Sequence, residues 1–286
     1  MLQLEMTARP HILFRILKKL FQDKRAFSGF ILVLTISLVA LLAPVIAPHD
    51  PITVNMSAKL QHPGPEYWLG TDNLGRCNLS RLIWGARASL FYAMVVLGIM
   101  LLISIPVGLI AGYAGGKVDA VIMRFIDLIM GFPSYILVLA IAGVLNPGMK
   151  NLILALSCVW WTGYARLIRG MVMQVKEKDF ILAAQCGGCT RRRIIMRHIF
   201  SCILSPILVL STLEVGSIIL AIAGYSFIGL GAQPPMPEWG VMLSDSKGFM
   251  QTQPQLMLYP GLAIMLTVTS FNLLGEGLRN AMEHNI

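Results

Sequence analysis

Charged residues are scarce in this sequence. They make up 13% of its 286 residues, about half the share found in an ordinary soluble domain. Hydrophobic residues make up 56% instead, and basic residues outnumber acidic ones by 23 to 14. The basic residues lie between apolar runs, which is typical of topology signals rather than of a nucleic-acid-binding surface. The composition therefore excludes a disordered chain and an ordinary cytosolic enzyme. It favours an all-α integral membrane protein in contact with lipid and not with nucleic acid.

The motifs of hydrolytic and redox chemistry are also missing. The most P-loop-like dipeptide, Gly116-Lys117, lacks both the leading glycine and the following hydroxyl residue that phosphate binding needs. Neither His-Glu-x-x-His nor Gly-x-Ser-x-Gly occurs, and Cys186-Gly-Gly-Cys189 has no second cysteine pair to complete a zinc site. We therefore expect no catalytic residue, cofactor or metal site in this chain. If transport is driven by ATP, the nucleotide site must lie on a partner.

Six apolar segments are long enough to cross a bilayer, which takes about 20 residues each. A basic N-terminal tail, residues 1–26, precedes them, and we expect residues 27–286 to form one six-span membrane domain. Pro133 is expected to kink the third segment. The predicted spans are 27–47, 88–113, 118–145, 151–171, 202–225 and 255–274.

The distribution of Lys and Arg indicates the orientation of these spans. If both termini are cytoplasmic, 17 of the 23 basic residues lie on the cytoplasmic side, as the positive-inside rule predicts. The long polar loops 48–87 and 226–254 then face outward. The sequence therefore predicts a multi-pass protein of the inner (plasma) membrane with both termini in the cytoplasm.

The cytoplasmic loop 172–200 carries the most specific pattern. A helix-prone stretch, 180–186, meets the pair Gly187-Gly188, and a basic amphipathic stretch, 191–199, follows. Two short helices around a glycine elbow would form a rigid knob at the membrane surface. On composition alone, the alternative is a solvated basic loop that only follows the positive-inside rule.

Several motifs in this order resemble a known family. Ala183-Ala184-x-x-x-Gly188, followed by Ile194-Ile-x-Arg197-His198-Ile199, resembles the coupling loop of ABC importer permeases. Further segments resemble the dipeptide, oligopeptide and nickel branch of that family, and the resemblance covers nearly the whole chain from about residue 27. These segments are Leu69-Gly-Thr-Asp-Asn-Leu-Gly-Arg76, Ser226-Phe-Ile-Gly-Leu-Gly231, Pro237-Glu-Trp-Gly240 and Phe271-Asn-Leu-Leu-Gly275-Glu-Gly-Leu-Arg279.

The resemblance implies the fold of a type I ABC importer permease and a set of partners. A second homologous permease subunit, two ATP-binding cassette ATPases and an extracytoplasmic solute-binding protein would complete the importer. ATP would then be hydrolysed on the partner subunits. The resemblance also implies that the loop contacts an ATPase through Phe180, Ala183, Ala184, Gly188, Arg197 and His198.

Three positions depart from the family pattern. Leu182 stands where the coupling motif has a glutamate, and Phe200-Ser201 stands where the motif often closes with Leu-Pro. Cys77 stands where the outer loop has an acidic residue. The last departure argues against a role for a carboxylate in that outer loop.

The sequence indicates the family more specifically than it indicates the transported solute. Nickel permeases and peptide permeases share these motifs. The segments Trp160-Trp161-x-x-Tyr164-Ala-Arg166 and Thr252-Gln253-Pro254, together with Glu214, are slightly more similar to the nickel permeases. The resemblance therefore implies transport of nickel, a nickel chelate or di/oligopeptides. The competing class is an ion-coupled secondary transporter, which would use buried carboxylates and broken helices without an ATPase.

Glu214 lies in the middle of the predicted span 202–225. A charge at that depth must face protein or water, because it is costly in hydrocarbon. Ser211, Glu214 and Ser217 fall on one helical face. This stripe either lines a translocation path or packs helices together through small residues.

Other ionic groups near the span ends have local explanations. Arg124 and Asp127 are spaced so that they can pair with each other on one helix. Arg166 and Arg169 can extend their side chains to the membrane interface.

Overall fold

The computed structural model describes residues 23–283, and its regular structure is helical. Within these residues no strand forms, and an isolated antiparallel bridge joins Thr71 to Cys77 in the first long loop. The predicted all-α class is confirmed. In chain order the helices are α1 Lys24–Leu41, α2 Ala43–Ile46, α3 Asn78–Ala114, α4 Gly116–Met130, α5 Ser134–Val144, α6 Met149–Lys176, α7 Asp179–Cys186, α8 Arg191–Phe227, α9 Trp239–Ser246 and α10 Gln255–Glu283.

All six predicted spans fall on helices. Of the helices within residues 23–283, four are long and apolar enough to cross a membrane, namely α1, α3, α8 and α10. The pair α4 and α5 meets the same standard together, although the two helices are bent by 79° at the break between them. Length and apolar character therefore support four to five spans, whereas the sequence predicts six.

Helix boundaries differ from the predicted ones where polar residues continue a helix. α3 begins at Asn78, well before the predicted start of its span at residue 88. α10 continues to Glu283, beyond the predicted end at residue 274. Hydropathy marks only the apolar part of a helix, so polar turns that are satisfied by neighbouring loops escape it. Most of the predicted tail, residues 1–22, lies outside the described residues.

The predicted kink at Pro133 is a complete break. α4 ends at Met130 and α5 starts at Ser134, directly after the proline. In contrast, Pro106, Pro206 and Pro260 remain inside α3, α8 and α10, because neighbouring groups in a membrane bundle can satisfy the freed carbonyls. Gly131 precedes Pro133 by two residues, and the pair of helix breakers ends the helix where a proline alone does not.

The chain divides into two compact units, of which the first contains α1, α9 and α10. In this unit the backbones of α1 and α10 are in direct contact. A Cβ atom added at Gly29 would lie 2.6 Å from the backbone nitrogen of Leu274, and one added at Gly277 would lie 2.1 Å from the Cβ of Ala26. Small residues allow membrane helices to approach this closely, so these glycines fix the packing of α1 on α10.

The second unit consists of residues 91–208 and 225–233. Here α3 packs on α6 through Gly108 and Gly112, where an added Cβ would lie 2.7 Å from the Cβ of Ile168 and of Val172, respectively. This is the Gly-x-x-x-Gly arrangement of closely packed membrane helices. We call the buried cluster around this contact the α6–α8 core. It consists of Leu109, Ile168, Val172, Val175, Ile181, Ile194, Ile199, Ile203 and Ile207.

Candidate functional site

The short helix α7 is anchored on one side and open on the other. Ile181 is fully buried in the α6–α8 core. Its neighbours Phe180 and Leu182 are 43% and 50% exposed, and Ala183 is exposed as well. α7 therefore presents an apolar surface, and its buried side chain fixes it to the helices behind.

A glycine turn ends α7. The backbone N–H of Gly187 donates to Ala183 at 2.9 Å, and that of Gly188 donates to Gln185 at 3.0 Å. Gly188 has φ +74°, a left-handed conformation that favours glycine. The predicted elbow between two helical stretches is confirmed, and Gly188 is the residue that makes it.

The basic stretch after the elbow forms the first turns of α8. Arg191, Arg192, Arg193 and Arg197 are exposed, His198 and Ala184 are half-buried, and Ile194 and Ile199 are buried. Residues Ile194–Ile199 form a π turn. The segment is thus amphipathic, as expected, and its apolar side chains belong to the α6–α8 core.

Two ion pairs join α4 to α6, and they differ from the expected ones. Asp127 pairs with Arg166 of α6 and not with Arg124 of its own helix. Asp119 accepts two hydrogen bonds from Arg169, from Nε and from Nη2, each at 2.5 Å. Arg166 and Arg169 therefore each bind a carboxylate of α4. We call these four residues the α4–α6 ladder.

A cleft of about 400 Å³ lies beside the ladder. Its walls come from the turn between α3 and α4, the end of α6 and the exposed part of α7. Lys176 on its wall donates to the carbonyl of Tyr113 at 2.7 Å, and its ammonium lies 5.4 Å from the centre of the Tyr113 ring. These contacts hold the end of α6 against the end of α3. The lining residues are Gly112, Gly115, Asp119, Met173, Lys176, Glu177, Leu182 and Gln185.

The predicted polar stripe of α8 lies in the first unit. Ser211 is buried at 6% exposure, Glu214 is half-buried, and Ser217 is exposed. Exposure to solvent or lipid therefore increases along this helical face from Ser211 to Ser217. Glu214 lies between the two environments.

An ionic cluster of the first unit, which joins its two long loops, was not predicted. The side chains of Arg76 and Arg81 are each 2% exposed. Asp72 binds Arg76 at 2.6 Å, and Asp245 binds Arg76 at 3.1 Å and Arg81 at 3.3 Å. The two arginines and two aspartates have no net charge, which is how buried charges are tolerated.

The cluster corrects one expectation from the sequence. The replacement of an acidic residue by Cys77 argued against a carboxylate role in this loop, yet Asp72 organises it. Asp72 also accepts hydrogen bonds from the backbone N–H groups of Leu74 and Arg76, each at 2.9 Å. The sequence signal for this cluster was the presence of two arginines and an aspartate within ten residues, but their partner Asp245 is distant in sequence.

A second buried carboxylate starts α9. Glu238 is fully buried and accepts hydrogen bonds from the N–H groups of Gly240, at 2.9 Å, and Val241, at 3.1 Å. Trp239 packs on Gly85 and donates its indole N–H to the carbonyl of Leu82 at 3.1 Å. These contacts fix the second long loop on the first turns of α3.

Residues 23–283 contain no group of three or more His, Cys, Asp or Glu side chains that could hold a metal ion.

Comparisons with known proteins agree with this architecture. Residues 104–286 match the family of binding-protein-dependent transport system inner membrane components, and residues 13–63 match the N-terminal transmembrane domain of oligopeptide transport permease C. The chain is 41% identical to a dipeptide transport system permease of Alkalihalophilus pseudofirmus, over 93% of this chain and 88% of the relative. It is 38% identical to the nickel transport system permease of Escherichia coli, over 90% and 93% of the two chains.

A solved structure shares the fold. An inward-facing methionine ABC transporter superposes with a TM-score of 0.57 at 17% identity, over 70% of this chain and 96% of that one. At this identity the likeness shows the fold alone.

Proposed function

Because the chain belongs to the binding-protein-dependent inner membrane permeases of ABC importers, we propose that it forms half of a translocation path for small peptides or for nickel and its chelates. Members of this family are permease subunits and not enzymes, and ATP hydrolysis belongs to their partners. The proposed partners are a second, homologous permease, two ATPases and an extracytoplasmic solute-binding protein. The two solute classes are those named for the relatives.

The geometry of α7 carries the proposed contact with the ATPases. An exposed apolar helix is suited to a protein partner, and Ile181 connects it to the α6–α8 core. Movement of a partner bound to Phe180 and Leu182 would therefore reach the membrane helices. The proposed coupling residues are Phe180, Ala183, Ala184, Gly188, Arg197 and His198.

The polar stripe of α8 is the proposed wall of the path. Glu214 is half-buried beside the exposed Ser217, so its carboxylate is close to a position that solvent or solute can reach. A cationic or amine-bearing solute would be attracted there.

Both termini are proposed to be cytoplasmic, because this orientation places the basic stretch of α8 inside. A cysteine at position 62 would then react with an impermeant reagent in intact cells. A cysteine at position 284 would react only after permeabilisation, in a background without other cysteines. The reverse labelling pattern would contradict the orientation and the cytoplasmic site of α7 with it.

Reconstitution tests the transport function directly. The complete importer is reconstituted in proteoliposomes, and ATP is supplied on the side of the membrane that the ATPases face. Uptake of nickel, a nickel–histidine chelate and dipeptides is then measured with and without the binding protein. We expect uptake to need both ATP and the binding protein. Uptake that is driven by an ion gradient without ATP would instead establish the secondary-transporter alternative.

A further inference from the structure

The α4–α6 ladder connects two helices at two points along their length. Asp119 and Asp127 lie eight residues apart on α4, which corresponds to about 12 Å of helix. Their partners Arg169 and Arg166 follow in the opposite chain direction on α6. Two pairs in this antiparallel order oppose both sliding and rotation of α4 on α6.

One end of this arrangement is attached to α7. α6 ends at Lys176 and α7 begins at Asp179, so a two-residue turn separates them. Ile181 of α7 packs with Val172 and Val175 of α6 in the α6–α8 core. A displacement of α7 is therefore transmitted to α6.

The other end is attached to the broken helix. The ring of Tyr135, at the start of α5, meets Trp160 of α6 edge to face with ring centres 6.1 Å apart. The Tyr225 hydroxyl donates to the carbonyl of Tyr135 at 3.1 Å. Because α6 contacts both α4 and α5, it holds the segments on both sides of the 79° bend.

Stability alone is a weak reason for these ion pairs. The side chains of Arg166 and Asp127 are 42% and 53% exposed, and exposed ion pairs contribute only about 0–1 kcal/mol. Their geometric effect is larger, since a bidentate pair such as Asp119–Arg169 fixes direction as well as distance. Charged residues are also scarce in this chain, yet both acidic residues of α4 pair with arginines of α6.

We propose that the α4–α6 ladder transmits movement of α7 to the bend between α4 and α5, so that its four members are positioning residues for transport. The proposal rests on the proposed function, because it assumes that a partner moves α7. The proposal adds to that function the contacts through which movement of α7 and α6 reaches α4. Without the ladder, α7 and α6 would still move, but α4 would follow incompletely.

Charge variants of the complete importer test this proposal. Asp119→Asn and Arg169→Gln each remove one side of the bidentate pair, and the double variant Asp119→Arg with Arg169→Asp restores it in reverse. The number of solute molecules transported per ATP hydrolysed should fall about fivefold in each single variant and return to within about twofold in the double variant. Arg124→Gln, an exposed charge on α4 outside the ladder, is the matched control and should leave the ratio unchanged.

A distance measurement separates positioning from stability. Spin labels at position 185 on α7, outside the proposed coupling residues, and position 128 on α4 report the movement of each helix relative to a third label at position 154 on α6. In the wild-type complex, addition of ATP should shift the α4 distance. In Asp119→Asn that shift should be lost while the subunits still copurify.

The outcomes are distinct. Unchanged transport per ATP in the single variants, or no recovery in the double variant, would overturn the proposal. If variants at Asp119 do not assemble, Asp127→Asn and Arg166→Gln at the exposed pair decide by the same measurements, and an unchanged α4 shift there would overturn it. A wild-type complex that takes up no solute with ATP contradicts the proposed function instead, and the label distances then still test the ladder.

Discussion

The indole ring of Trp239 lies directly on Gly85. A Cβ atom added at Gly85 would lie 2.5 Å from Cδ1 and 2.7 Å from Nε1 of that ring. Both positions belong to the first unit, where the indole N–H also binds the carbonyl of Leu82. The second long loop therefore packs against the backbone of α3 at Gly85, which has no side chain.

Gly85→Ala should therefore destabilise the permease, although alanine favours helices. The methyl group would displace Trp239 and lengthen its hydrogen bond, and such overpacking costs about 1–3 kcal/mol. The measurement is the thermal unfolding midpoint of the purified importer in detergent. Gly98→Ala in the same helix meets no heavy atom within 4 Å and is the control. Equal midpoints for the two variants would contradict the described packing.

Asp245→Asn should loosen the two long loops that the ionic cluster joins. The cluster would keep two buried arginines with one carboxylate, and breaking a buried ion pair by removing one partner costs about 3–5 kcal/mol. We expect a lower unfolding midpoint and faster proteolysis of the loop around residue 245. Glu66→Gln, which neutralises an exposed carboxylate of the first long loop, should change neither the midpoint nor the rate of proteolysis. A wild-type midpoint for Asp245→Asn would show that the arginines have other partners.

Gly188 should be required for coupling. Its φ of +74° is strained for any residue with a Cβ atom, by about 1–2 kcal/mol, and a bulky side chain would also alter the exposed surface beside α7. Gly188→Ala should weaken, and Gly188→Trp abolish, copurification with the ATPases, while membrane insertion stays normal.

Gly170→Ala is the control for Gly188, because this helical glycine of α6 has open space at its Cβ position. Pull-down of the ATPases and uptake by proteoliposomes measure the effect. Normal values of both in Gly188→Trp would exclude a role for the elbow.

Glu214→Gln keeps the shape of the side chain and removes its charge. If the charge attracts solute, uptake at limiting solute concentration should fall by about tenfold, since partly desolvated charge interactions contribute on the order of 1–3 kcal/mol. Assembly and basal ATP hydrolysis should remain. If Glu214 only joins helices, Gln is tolerated and Glu214→Leu disturbs assembly, so wild-type uptake in Glu214→Gln would exclude the path role.

The helices were predictable from the sequence, and most of the ionic contacts were not. Apolar runs and the Gly187-Gly188 elbow depend on neighbouring residues, which is why the predictions of the helical class and of the glycine elbow in the loop 172–200 were confirmed. Asp127 was assigned to Arg124 because local spacing is all that a sequence offers, but its partner Arg166 is 39 residues away. Asp72 and Asp245 escaped prediction for the same reason.

Close packing was partly visible in the sequence. Gly108 and Gly112 have the spacing of a helix-packing motif, and that spacing marks the contact with α6. Gly29 and Gly277 have no such local signal, since each acts on a helix at the opposite end of the chain. The break at Pro133 was underestimated because the combined effect of Gly131 and Pro133 exceeds that of proline alone.

The contact between α1 and α10 has a consequence for biosynthesis. Gly29 packs against Leu273 and Leu274, and Ala26 packs against Gly277, so α1 leaves the ribosome long before the surface it fits. At about 5–20 residues per second, this interval is roughly 10–50 s. During that time the small residues of α1 face lipid or the insertion machinery. Helix α1 can therefore reach its packed position only after α10 has been made.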